Sequence, residues 1–145
     1  MSSPAVPALP IVVADSGPGV ELVRGTLAET PFTLLAAETL AQAKSAVSAD
    51  TPLVLCGCHF DDGRLYDLLR YMKARPALNS VPFLAVRAHA GELDDAMYES
   101  VKIATSALGG NGFIDLFRWR RLYGQAEAAR QFAQQVGTLA RHARD

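Results

Sequence analysis

The spacing of apolar positions changes regularly along the chain. Residues 9–14 ("LPIVVA") form a continuous apolar run, the pattern of a strand covered on both faces. The Asp-Ser-Gly-Pro-Gly stretch at 15–19 breaks it, and Val20, Val23 and Leu27 then fall on one helical face. The alternation repeats. Strands are predicted over 32–36, 53–58 and 81–86, with a short fifth over 113–116. Between them, Leu40, Ala43 and Val47 mark a second helix. Leu65, Leu68, Leu69 and Met72 mark a third, the sharpest stripe in the chain. Leu93, Met97, Val101, Ala104 and Leu108 mark a longer fourth. Gly109-Gly110-Asn111-Gly112 reads as a turn.

From about 118 onward the pattern predicts one long helix, with Gly124 as a point of interruption. Its stripe runs through Leu122, Ala126, Ala129, Ala133, Val136, Ala140 and Ala143, widened by Phe132 and Leu139. A helix over 118–143 would be about 39 Å long, more than a small domain needs to cover its sheet. The excess apolar stripe suits a dimer helix or a connector to an output domain after Asp145.

Strand–helix alternation implies parallel strands joined by right-handed crossovers. The expected fold is α/β: a doubly wound, five-stranded parallel sheet of flavodoxin type with an extended C-terminal helix. Residues 1–8 read as a disordered leader, and 9–145 as a single domain. Ligands of such sheets bind beyond the carboxyl ends of the strands.

Composition narrows the function. The chain has 145 residues, half of them hydrophobic, and a formal net charge of −1. No bulk charge draws it to nucleic acid or a membrane surface. No apolar run spans a bilayer, and the N-terminus lacks the form of a secretory signal. Two cysteines two positions apart make no disulfide framework, so the cytoplasm is the expected compartment.

Four stretches, "IVVADS", "TPLVLCGCHFDDGRLYDLLRYMKA", "VPFLAV" and "GGNGFIDLF", follow one another at telling spacings. Together they resemble the receiver domain of two-component response regulators, over roughly residues 9–139. That resemblance implies a phosphorylation pocket. In it an acidic pair and an acceptor aspartate hold Mg²⁺, and a Ser or Thr and a Lys grip the phosphoryl group. Placed on this pattern, the acidic pair becomes Ala14-Asp15 and the acceptor falls on Gly57, with Cys56 and Cys58 to either side. The Ser/Thr position becomes Arg87 and the Lys position Leu116, followed by Phe117. Phe113 fits the aromatic position. Nucleophile, hydroxyl and lysine are all missing. The segment between Arg87 and Gly109 is longer than usual.

The expected protein is therefore a degenerate receiver, a phosphorylation-independent signalling module acting by protein contact. It needs no cofactor, metal or enzymatic activity. Its partner surface would be the fourth helix, fifth strand and last helix, which would also serve a homodimer. Phe113, Trp119, Arg120, Tyr123, Phe132 and Val136 are its candidate contacts. The alternative is an atypical receiver phosphorylated on Asp61 or Asp62, with Mg²⁺ near Asp15, although Asp-Asp-Gly is ordinary turn chemistry. A third reading is a small ligand beside Gly17, Gly57 and Arg87.

Arg87 is expected either to pair with Asp15 or to face solvent. Cys56 and Cys58, even with His59, fall short of a zinc set, and the two cysteines read as small buried strand residues. His89 and His142 show no partner pattern. The arginines around Trp119 are too short a cluster, in too neutral a chain, to argue strongly for nucleic acid, and suit a protein interface equally.

Overall fold

The computed structural model describes residues 9–89 and 95–140. The expected leader at 1–8, and Leu93, His142 and Ala143, lie outside the described residues. Five parallel strands, β1 (Ile11–Ala14), β2 (Leu34–Ala37), β3 (Val54–Gly57), β4 (Phe83–Arg87) and β5 (Gly112–Asp115), form one sheet. Their order is β2-β1-β3-β4-β5, the flavodoxin-like topology. Six helices alternate with and follow them: α1 (Gly17–Thr26), α2 (Leu40–Ala46), α3 (Leu65–Lys73), α4 (Asp95–Ala107), α5 (Leu116–Tyr123) and α6 (Gln125–Leu139).

The continuous apolar runs are used on both faces, because successive strand side chains point to opposite sides. Ile11, Val13, Leu55, Leu84 and Val86 meet α1 and α6 on one face. Val12, Ala14, Val54, Cys56, Phe83 and Ala85 meet α2 and α3 on the other. The α3 stripe of Leu65, Leu68, Leu69 and Met72 is fully buried, as its spacing predicts.

Residues 17–19 differ from expectation. They form the first turn of α1, with Pro18 near its start, where a missing N–H does no harm. The Ser16 hydroxyl accepts the Gly19 N–H at 3.3 Å and caps the helix.

The long C-terminal helix is in fact two. Gly124 takes φ 86° and ψ 164°, a backbone conformation that favours glycine. Its N–H donates to the Arg120 carbonyl, ending α5, and its carbonyl accepts the Ala128 N–H, opening α6. The bend lets α6 return onto the sheet. Its buried stripe is Ala128, Phe132, Val136 and Ala140, while Leu122 and Ala126 face solvent. Phe132 and Val136 are thus core residues, removed from the set of candidate partner contacts. α4 is also rotated from its expected stripe: Tyr98 and Thr105 point inward and Met97 is half exposed.

Phe132→Ala is expected to lower the unfolding free energy by about 3–5 kcal/mol. Leu122→Ala should change it by less than about 0.5 kcal/mol. Urea denaturation of both variants checks this. The reverse ranking would mean the helix runs on through Gly124.

Candidate functional site

At the carboxyl end of β1 the chain turns on Asp15, which is only 4% exposed. Its carboxyl lies directly over Gly57, at the end of β3, and against Gly19 of α1. A Cβ added at Gly57 would stand 2.2 Å from the carboxyl carbon, and one at Gly19 would stand 2.1 Å from Oδ2. Both glycines are needed for this close approach. The Ser16 N–H donates to Asp15 Oδ1 at 2.7 Å. Burial pushes the carboxyl pKa above its ordinary value, opposed by the Ser16 amide and by the nearby His89 and His59.

Arg87 ends β4 and stands in register with Asp115 of β5. The sequence offered Asp15 as its partner. The structure pairs Arg87 Nη1 with Asp115 Oδ2 at 3.0 Å instead, with the two side chains 6% and 17% exposed. The reason is the strand order: β3 separates β1 from β4, placing Asp15 roughly two strand spacings, about 10 Å, away. Nor does Arg87 face solvent. Its guanidinium lies 3.8 Å from the Tyr98 ring centroid and 4.9 Å from that of Phe117.

Two further contacts extend this centre. Asp115 Oδ1 accepts the Arg118 N–H at 3.0 Å, capping α5. The Tyr98 hydroxyl and His59 Nε2 share a hydrogen bond of 2.8 Å. The His59 and His89 rings stack with centroids 6.3 Å apart. Burial raises the Tyr98 pKa, and Arg87 opposes the rise. Sequence reasoning missed Asp115 and Tyr98. Asp115 carries a legible signal, an aspartate directly before a helix. Tyr98 carries none, since its role depends on Arg87.

The remaining candidates divide. Leu116 is fully buried in the core, turned away from the site. Phe113 and Trp119 are half-buried and line a cleft of about 200 Å³ between α4 and α5, with Lys102 and Arg118. Arg120 is half-buried and Tyr123 exposed. Gly17 lies in α1, where a Cβ added to it would meet the Glu38 carboxylate.

Asp61 and Asp62 sit in a turn with φ of 44° and 57°. Asp61 Oδ2 accepts the Leu40 N–H at 2.7 Å, serving as a cap for α2. Cys56 is buried with its thiol pKa well above the ordinary value, and burial with nearby Asp15 pushes Cys58 up to about 12. Neither supplies a thiolate at neutral pH. Among the described residues, no three His, Cys, Asp or Glu side chains are grouped to hold a metal ion, and no helix is long and apolar enough to cross a membrane.

No protein-family model matches the chain, and no characterised protein matches it by sequence. Solved structures do match. The phosphorylated cyanobacterial phytochrome response regulator RcpA is similar with a TM-score of 0.60 at 15% identity, over 89% of this chain and 91% of that one. Response regulator RPA3017, in red light signalling of R. palustris, gives 0.59 at 14%, over 88% and 91%. A response regulator protein from Burkholderia multivorans gives 0.52 at 21%, over 89% and 91%. At these identities the likeness is one of fold, and the chain has the receiver fold.

Two outcomes follow from the Asp15 geometry. Gly57→Ala is expected to destabilise by about 1–3 kcal/mol through overpacking. In an Asp15→Ala background the same change should cost under about 1 kcal/mol, since the two sites share the contact. A double-mutant cycle by urea denaturation measures this, and equal costs in both backgrounds would refute the contact.

The second outcome concerns pH. A carboxyl with a raised folded-state pKa loses stability on ionising; the loss is absent below the unfolded pKa and complete above the folded one. Asp15→Asn keeps an acceptor for the Ser16 amide and removes the charge. It should unfold at a higher temperature than the wild type at neutral pH and converge with it as pH falls toward about 4. A lower melting temperature at neutral pH would count against a destabilising charge.

Proposed function

We propose that the chain is a receiver-like signalling module that works by protein contact, without aspartyl phosphorylation. The observation that carries this reading is the Asp15 carboxyl lying over Gly57. Gly57 is where the resemblance puts the acceptor, and it has no side chain to phosphorylate. The space such a side chain would enter holds a buried carboxylate instead. A dianionic phosphoryl group there would face that charge without the expected lysine, because Leu116 is in the core. The expected hydroxyl is replaced by Arg87, whose charge is committed to Asp115.

The same contacts speak against the other readings. Asp61 uses its carboxylate to cap α2. A small ligand beside Gly57 and Arg87 would have to displace the Asp15 carboxyl or pull the guanidinium from the rings of Tyr98 and Phe117. The working surface we assign is the face of α4, β5 and α5, where Phe113 and Trp119 border a cleft with charged sides. Trp119, Arg120 and Tyr123 are its accessible contacts, since aromatic and arginine side chains dominate interface centres. The partner is another protein of a signalling pathway, met in the cytoplasm, where Cys56 and Cys58 stay as the free thiols they are here.

Incubation with acetyl phosphate and Mg²⁺, read by intact mass, is expected to leave the protein unmodified. Beryllofluoride with Mg²⁺ should leave the fluorescence of Trp119, the single tryptophan, unchanged. A stoichiometric, Mg²⁺-dependent adduct on Asp61 or Asp62 would overturn the reading.

A further inference from the structure

β2 is an edge strand of the sheet. Its inner side is tied to β1: the Ile11 N–H donates to the Thr33 carbonyl at 2.9 Å and the Asp15 N–H to the Ala37 carbonyl at 3.1 Å. Backbone groups of successive residues in a strand turn to opposite sides. Leu35 therefore turns inward with Thr33 and Ala37, and the N–H and C=O groups of Leu34 and Ala36 face away from the sheet. The next outward amide is already engaged, since the Glu38 N–H donates to Gln42 Oε1 at 2.8 Å.

Natural edge strands are blunted by shortness, charge, Pro, a bulge or a covering element, and of these β2 has shortness, at four residues. Thr33-Leu34-Leu35-Ala36-Ala37 contains no charge and no proline. Leu35 is 42% exposed. Beside it runs a trough of about 390 Å³, walled by Ala36, Ala41, Gln42, Ser45 and Ala46, all uncharged.

We propose that β2 is the seam of a homodimer, paired antiparallel with β2 of a second copy about a twofold axis at Leu35. Two observations fit a second copy. The first is register. Directly opposite residues must share a face of the sheet, so a twofold axis passes through a residue and not between two. An axis at Leu35 sets Leu34 opposite Ala36 of the other copy, and Ala36 opposite its Leu34. Each pair exchanges two hydrogen bonds through the outward groups. An axis at Ala36 would need the Glu38 amide, which Gln42 holds.

The second observation is charge. An isologous contact sets the residue on the axis against its own copy and brings those beside it close to theirs, so a charge there is repelled by its own copy. The strip and trough carry none, a neutrality that a different partner would not require. The two Leu35 side chains meet at the axis as the closer, non-hydrogen-bonded pair, over the two troughs. Glu38 would lie opposite Phe32 of the other copy, not opposite itself. β5 is at the far edge of the sheet, so the α4–β5–α5 face stays open in the dimer.

Sedimentation velocity over a concentration series tests this on the full chain. The wild type is expected to show a concentration-dependent dimer. Leu35→Lys, on an exposed side chain, should keep the circular dichroism spectrum and weaken the dimer by at least about tenfold, because like charges juxtaposed in an interface cost more than about 1.4 kcal/mol. Leu35→Glu alone should do the same. Mixing the Leu35→Lys and Leu35→Glu proteins should restore dimer, because only an axis at Leu35 brings the introduced ammonium and carboxylate together. The proposal fails if the wild type stays monomeric at its highest soluble concentration, or if its dimer survives Leu35→Lys. It fails equally if the mixture does not recover, or if Trp119→Ala abolishes the dimer while Leu35→Lys spares it.

Discussion

The buried guanidinium of Arg87 is the constraint around which the functional end of this domain is organised. A cation almost out of water must be compensated in place. Asp115 does so from the neighbouring strand, at the position that parallel register sets beside it. Its second oxygen caps α5, so one carboxylate fixes both the cation and the start of the next helix. Tyr98 and Phe117 close the two sides of the guanidinium and bring α4 and α5 to the same point. Such an arrangement adds less to stability than its contacts suggest, because desolvation offsets much of the attraction. What it does is tie β4, β5, α4 and α5 together at one point.

Asp15 solves a different problem in the same region. Its carboxylate is buried with one backbone donor and two imidazoles nearby, and it fits only because two neighbours lack side chains. Arg87 and Asp15 do not meet. Arg87 is paired by Asp115, Asp15 is only partly compensated, and together they leave the strand ends filled by the protein's own groups. Strand ends filled in this way favour a partner met by contact over a ligand held in a pocket, which is the link from these contacts to the function proposed.

The periodicities made most of the fold legible. The runs beginning at Ile11, Val54 and Phe83 became central strands because their residues are apolar, with Arg87 at the end of β4 the one exception, and the α3 stripe was unambiguous. The C-terminal region was misjudged because alanines at several helical offsets hide which face is buried. Phe132 and Val136 fall on two stripes at once, and only the turn at Gly124 chooses between them. In α4, Met97 outranks Tyr98 by hydropathy, yet tyrosine goes inward because its ring meets a cation and its hydroxyl meets His59. Arg87 stood out as a substitution, but its partner did not. The chain says which charges exist, while strand order decides which are adjacent.

The overlap of Asp15 with the space above Gly57 also constrains how this sequence can have changed over time. A side chain at 57 and the present position of the Asp15 carboxyl exclude each other. Of two substitutions separating this pocket from one with an acidic residue at 57, the order therefore matters. Asp15 must first be replaced or swing aside, and only then is position 57 open. Gly19 is bound by the same exclusion, since a side chain there would also meet the Asp15 carboxylate. Introducing a side chain at position 57 alone passes through a poorly packed intermediate, which selection for a folded protein opposes. The two positions are therefore epistatic: what can stand at 57 depends on where the Asp15 carboxylate lies.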